Sequence, residues 1–208
     1  MRLYIIRHGQ TSWNTRKRLQ GQRDIMLNEN GIKIAEETAK GMKDIDIDLV
    51  ISSPLLRAKE TAGILMSQRE LPMITDRRLT EMSFGEWEGE SMIDSTVITQ
   101  EFRDKFIADP MHCMCPPGGE SFEKVLERTA DFYHWLIANK AYENANILIS
   151  AHGASSRCLL AAVDGARDDL WRGGVPKNCA VSIVEVTDGV GRIVELDKLF
   201  YEEPKVSV

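Results

Sequence analysis

Three short apolar runs, at residues 3–6, 49–51 and 147–149, carry no polar alternation. A strand with one wet face alternates apolar with polar residues, whereas a strand covered on both faces does not. Runs of three or four residues bounded by polar chain are also too short for buried helices. Helical patterns fall between them. Residues 29–43 carry Ile32, Ala35, Ala39 and Met42 at helical spacing. Ser53 and Pro54 read as a helix start, Ser as cap and Pro in the first turn, running to about Gln68. Phe122, Val125, Leu126, Thr129, Phe132, Tyr133, Leu136 and Ile137 form one face of a long helix. A further helix after His152 and Gly153 carries Leu159, Leu160 and Val163. Alternating covered strands and helices predict a three-layer α/β/α sandwich with a mostly parallel central sheet. The run 180–186 leads through Asp188 and Gly189 into 193–196, which reads as a hairpin or as two edge strands.

At 208 residues the chain suits a single domain, 1–208, and roughly 70% of its unfolded surface is expected to become buried. Residues 83–118 fit the alternation poorly, with Gly85, Gly89, Pro110, Pro116, Pro117 and Gly118 in one stretch. They read as an insertion over one edge of the sheet, a lid or specificity region. The balance of 26 Lys and Arg against 32 Asp and Glu argues against a nucleic-acid partner. Nothing approaches a membrane span or a signal-peptide core, so a cytoplasmic protein is expected, with no membrane partner. Cys113, Cys115, Cys158 and Cys179 have no disulfide spacing, and the cluster His112, Cys113, Met114 and Cys115 lacks the further ligands a metal would need.

In open α/β sheets ligands bind beyond the carboxyl ends of the strands. After residues 3–6 come Arg7, His8 and Gly9; after 147–149, and past Ser150 and Ala151, come His152 and Gly153; after 49–51 come Ser52, Ser53 and Pro54, with Arg57 close behind. Parallel strands bring both histidines and both arginines to one edge. Each alone is more often a structural histidine or a surface arginine. Together they describe an anion site, because arginine's planar fork matches phosphate oxygens. Arg57 also stands near a helix N-terminus, where the dipole opposes a cation by about 0.3–1 kcal/mol unless an anion intervenes. One histidine can then attack phosphorus while the other stabilises charge on the equatorial oxygens. Glu81, just before Ser83, Phe84 and Gly85, is the candidate general acid; its ordinary reading is a solvated loop carboxylate.

These residues form recognisable motifs. Arg7, His8, Gly9, Gln10 and Thr11, then Trp13 and Asn14, open the series; Gly21, Leu27 and Gly31 follow. Next come Ser52 to Ala58 with Thr61 and Ala62, then Leu79 to Gly89 around Glu81, then Pro117, Gly118, Gly119, Glu120 and Ser121, and finally Ala151, His152 and Gly153. In this order and spacing the chain resembles the histidine phosphatase superfamily, with its phosphoglycerate mutase-like fold. Within it the stretch from Glu81 to Gly89 resembles the small bacterial branch of α-ribazole and broad-specificity phosphatases.

The resemblance implies a phosphomonoesterase that needs no metal or other cofactor and acts on a small phosphorylated metabolite through a phosphohistidine. His8 would be the nucleophile through Nε2, its Nδ1–H held by a backbone carbonyl. Arg7, Arg57 and His152 would form the phosphate pocket, and Asn14 and the Gly153 N–H would add donors. Glu81 would be acid in the first step and base in the second, which calls for burial to raise its affinity for a proton or for work in mild acid. Gln20 and Gly21 would reach the substrate. The alternatives are a cofactor-dependent phosphoglycerate mutase and a non-catalytic phospho-ligand binder. Residues 88–101 hold no Lys or Arg, unlike the basic insertion of the mutases, which favours hydrolysis. Phe84, Trp87, Met92, Phe102, Phe106 and Met114 are expected mostly to pack the insertion; Arg103 and Lys105 either meet a second anionic group or lie on a solvated helix face. The assembly is expected to be a monomer or a homodimer, and the tail 202–208 to be frayed.

Overall fold

The structure, a computed structural model, describes residues 1–202; the rest of the tail expected to fray lies outside the described residues. Six strands form one sheet in the order β3-β2-β4-β1-β5-β6. They are β1 Arg2–Arg7, β2 Leu49–Ser52, β3 Met73–Thr75, β4 Asn146–Ala151, β5 Val181–Thr187 and β6 Val190–Lys198. The first four are mutually parallel; β5 runs antiparallel to β1, and β6 antiparallel to β5. The mostly parallel sheet expected from the unalternated runs is present, with β1, β2 and β4 buried at nearly every position. The hairpin reading of the C-terminal pair is the correct one. Its loop is Asp188 and Gly189 at φ +53° and +76°, the two left-handed positions that let a two-residue turn match the strand twist.

Successive side chains of each strand feed opposite layers. Leu3, Ile5, Ile51, Ile147 and Ile149 face Phe132 and Leu136 of α5 (Phe122–Ala138) and Leu159 and Leu160 of α6 (Gly153–Asp164). Tyr4, Ile6, Val50 and Leu148 face Ile34 and Ala35 of α2 (Glu29–Gly41) and Ala62 and Leu65 of α3 (Leu56–Leu65). A four-residue helix, α1 (Ser12–Thr15), follows β1. The inward face of α2 differs from expectation. Ile34 points inward and Ile32 is 42% exposed: the buried stripe is Gly31, Ile34, Ala35 and Thr38, with Gly31 pressed against the Gln10 backbone.

The 83–118 segment contains α4 (Gln100–Ala108) between two turns of 3-10 helix. Phe84, Trp87, Phe102 and Phe106 are buried among Phe122, Val125, Leu126, Cys158 and Trp171. No strand residue joins that cluster, so the segment packs on α5 and α6 rather than over a sheet edge. Arg103 and Lys105 reach no anion site. Arg103 donates to the Met92 and Ser95 carbonyls, and Lys105 pairs with Glu101 along its own helix. Among the described residues no helix is long and apolar enough to cross a membrane.

Candidate active site

Parallel register brings the motif residues together. β1 pairs Arg7 with Ala151 of β4, so the two residues that follow, His8 and His152, leave the sheet side by side. The His8 N–H donates to the Ala151 carbonyl at 3.0 Å, and the two imidazole rings stand 5.2 Å apart at 57°. β2 pairs Ser52 with Ser150 of β4, which delivers Ser53 and the first turn of α3 to the same edge. Gly9 allows the close turn: a Cβ there would lie 2.8 Å from the Gly31 carbonyl oxygen.

The two histidines are oriented differently. His8 is 3% exposed, and its Nδ1 lies 2.7 Å from the Gly9 carbonyl oxygen. A carbonyl only accepts, so Nδ1 carries the hydrogen and Nε2 keeps its lone pair. Burial, then Arg57 and Arg7, push His8 well below the ordinary histidine range, against the opposing pull of the Gly9 bond. His152 is fully buried, and its Nε2 lies 2.8 Å from Ser53 Oγ. That hydroxyl also accepts from the Leu55 N–H at 3.3 Å. Burial first, then Arg57, His8, Arg128 and Arg7, keep His152 neutral too.

Ser53 therefore does not cap α3, which begins at Leu56 with no side-chain cap. Nor does Arg57 rely on an anion to offset the helix dipole. Its Nη1 and Nη2 donate to the Arg23 and Gly21 carbonyls, both at 2.7 Å. Burial lowers it to about 10, against the opposing effects of Glu81 and Asp24, so it stays charged at neutral pH. Arg7 donates through Nη1 to the Pro176 carbonyl, and burial lowers it as well. Arg7 Nε, Arg57 Nε and His152 Nδ1 are buried nitrogens without a protein partner among the described residues.

Glu81 is 9% exposed, so the solvated-loop reading fails. Its Oε1 accepts the N–H groups of Met82 at 2.9 Å and Ser155 at 3.0 Å, and its Oε2 that of Ala154 at 3.2 Å. The carboxylate thus occupies the N-terminus of α6, where helix dipoles favour a negative charge. Three backbone N–H groups thus meet its two oxygens. Gly153 starts the same helix, and a Cβ on it would lie 3.5 Å from Glu81 Oε2 and 4.0 Å from Arg7 Nε.

Asn14 Oδ1 accepts from the Thr11 N–H at 3.0 Å and from Thr11 Oγ1 at 3.1 Å, which leaves its Nδ2 as the outward donor. Gln20 is 7% exposed, and its Oε1 has no protein partner. Gly21 uses its carbonyl to hold Arg57, a role distinct from the substrate contact expected of it. Arg7, His8, Asn14, Gln20, Gly21, Arg57, Glu81 and Gly153 line one cleft of about 660 Å³, and the ring of His152 lies 5.2 Å from that of His8.

The sequence pattern of the histidine phosphatase superfamily, branch 1, matches residues 3–198. The chain belongs to that superfamily. Its similarity within the histidine phosphatases extends to both hydrolases and mutases. It is 32% identical over 179 residues to the uncharacterized phosphatase PhoE of Bacillus subtilis, covering 86% of each chain. It is also 32% identical over 186 residues to the probable phosphoglycerate mutase GpmB of Proteus mirabilis, covering 89% of this chain and 85% of that one. The crystal structure of a putative α-ribazole-5′-P phosphatase from Escherichia coli superimposes with a TM-score of 0.84 at 27% identity, covering 98% and 99% of the two chains.

Two contributors in this member of the histidine phosphatase superfamily escaped the sequence reading. Ser53, taken for a cap, orients His152. Asn178 donates from Nδ2 to the His8 carbonyl at 2.9 Å and lies 3.5 Å from Asn14 Oδ1. The antiparallel direction of β5 was the missing signal: a strand that runs backwards begins where the parallel strands end, so its leading loop reaches the site.

Proposed function

We propose that the chain hydrolyses a phosphomonoester without a metal, through a phosphohistidine at His8. The observation that carries this reading is the His8 Nε2 lone pair, kept by the Nδ1 bond to Gly9 and held between two buried guanidinium groups. A phosphate group would meet the unpartnered nitrogens of Arg7, Arg57 and His152, together with Asn14 Nδ2. In the first step the Nε2 lone pair forms a bond to phosphorus as the ester P–O bond breaks. The leaving alkoxide takes a proton from Glu81. In the second step Glu81 takes a proton from water, whose oxygen displaces the histidine from phosphorus. Both Glu81 oxygens accept N–H bonds in the structure, the arrangement of the base, so the first step requires one oxygen to give up a bond and turn toward the leaving group.

A cleft of about 660 Å³ has room for an organic moiety much larger than a three-carbon acid. Phe84, Met92, Phe106 and Trp171 supply an apolar wall, and Lys17 and Arg18 stand on its rim. The competing reading is a mutase, and the similarity to GpmB favours it specifically. The experiment is hydrolysis of an aryl phosphate with EDTA present, beside His8→Ala and a 3-phosphoglycerate isomerisation assay primed with the bisphosphate. Phosphate release that survives EDTA and is lost in the variant, with an acid-labile phosphoryl label on wild type only, is the expected result. Fast isomerisation with little phosphate release would make the protein a mutase instead.

A further inference from the structure

Glu81 lies in a loop, between a 3-10 turn at Arg77–Leu79 and another at Gly85–Trp87. Its backbone has no strand or α-helix to fix it, yet a proton donor must hold its place to well within an ångström. One side chain of α5 supplies the missing constraint. Arg128 Nη1 donates to the carbonyls of Arg78 and Thr80, both at 2.8 Å, and Nη2 donates to the carbonyl of Glu81 itself at 3.1 Å. The same guanidinium grips Glu120 at both oxygens, Nε to Oε1 and Nη2 to Oε2, each at 3.0 Å. Glu120 Oε2 then accepts the Ser83 N–H at 2.9 Å. Gln22 Nε2 completes the ring, 3.2 Å from the Glu81 carbonyl and 3.4 Å from Glu120 Oε2.

The chain is thus held on both sides of Glu81, by the arginine at 78, 80 and 81 and by the carboxylate at 83. Arg128 and Glu120 do not border the cleft. Both are largely buried, with side chains 17% and 21% exposed. A lysine could not substitute, because one ammonium nitrogen cannot span three carbonyls and a bidentate carboxylate at once.

We propose that the Arg128–Glu120 pair is a clamp that positions the Glu81 carboxyl for proton transfer to the leaving group. It rests on the phosphohistidine reading above, and both partners are positioning residues that touch no reacting atom. A clamp and a general structural support make different predictions about leaving groups. An alkyl phosphate departs as a basic alkoxide and needs the proton; 4-nitrophenyl phosphate departs as a stable anion and barely needs it. The ratio kcat/KM reports the steps up to phosphohistidine formation, the half-reaction in which Glu81 donates.

The experiment measures kcat/KM for both esters on wild type, Arg128→Lys and Glu120→Gln, with thermal melts of all three. In the variants the alkyl ester is expected to lose about tenfold or more beyond the aryl ester, a fraction of what general acid catalysis supplies. Equal losses on the two esters, or no loss, would overturn the clamp. Should Arg128→Lys fail to fold, Glu120→Gln reads the same ratio with a side chain of the same shape. A wild-type protein that hydrolyses neither ester removes the phosphatase reading and the clamp with it, whereas parallel losses from an active wild type remove only the clamp.

Discussion

Two guanidinium groups within reach of His8 do more than attract an anion. With burial they keep the imidazole unprotonated well below the range where exposed histidines titrate. The kcat/KM profile should therefore show no limb from His8 at its ordinary value of about 6.5. An acid limb there that stays in place with a substrate whose phosphate ionises at a different pH would count against this. Arg57 has a second constraint, since two of its N–H groups are committed to the Gly21 and Arg23 carbonyls. Arg57→Lys offers one nitrogen, which cannot both anchor to that loop and face a phosphoryl oxygen. A loss of about 10²–10³ in kcat/KM is expected, the usual cost of one charge-stabilising donor. Steady-state kinetics on the aryl ester checks this, and near-wild-type activity would refute it. The strand-end residues Arg7, His8 and His152 were legible because an unalternated run names the point where a strand ends. Asn178 and Arg128 were not, because each acts by donating to main-chain carbonyls far away in sequence, and a carbonyl leaves no trace in residue type.

Helix α6 shows how an element can serve a site through its end rather than its face. Its first N–H groups are taken by the Glu81 carboxylate, so helix and loop stabilise each other. Glu81→Gln would present one acceptor oxygen and one amide donor to a set of three donors. A stability loss of about 1–2 kcal/mol is expected from the charge-assisted bonds forfeited, read from urea melts at neutral pH. A variant as stable as wild type would mean that the bonds contribute nothing net. Helix periodicity placed α5 well, since a 17-residue amphipathic face leaves little ambiguity. It placed the start of α3 two residues early, because Ser53 is chemically a good cap but its hydroxyl is engaged by His152. The inward face of α2 failed for a different reason: Ile32 and Ile34 are both apolar, and the close approach of Gly31 to the Gln10 backbone turns the side that carries Ile34 inward.

The whole molecule is acidic, yet Arg7 and Arg57 are buried or nearly so at one edge of its sheet. Mutual repulsion among these cations is relieved by an anion. Inorganic phosphate at a hundred times its dissociation constant should stabilise the fold by about 2.7 kcal/mol, or roughly 5–10 °C in Tm for a chain of this size. A melt unaffected by saturating phosphate would be incompatible with the site. Acid has the opposite effect. His8 and His152 resist protonation in the folded state, so below about pH 6.5 the unfolded chain binds protons that the folded chain does not. Stability should fall with pH from about 6.5 downward, at up to about 1.4 kcal/mol per pH unit for each histidine, and should stop falling once the folded histidines titrate. Chemical denaturation from pH 7.5 to 5.5 tests this, and His152→Asn should flatten the slope.

The strand order also bears on how the protein comes into being. β1 is made first, but its neighbours on either side are β4 and β5, at residues 146–151 and 181–187. At about 5–20 residues per second, the apolar stretch at residues 3–6 emerges from the ribosome and waits roughly 10–40 s for both edges to be paired. His8 is thus synthesised well before either strand that flanks β1. A nascent chain carries His8 long before it carries Pro176 to hold Arg7, and the two meet only once β5 can pair with β1.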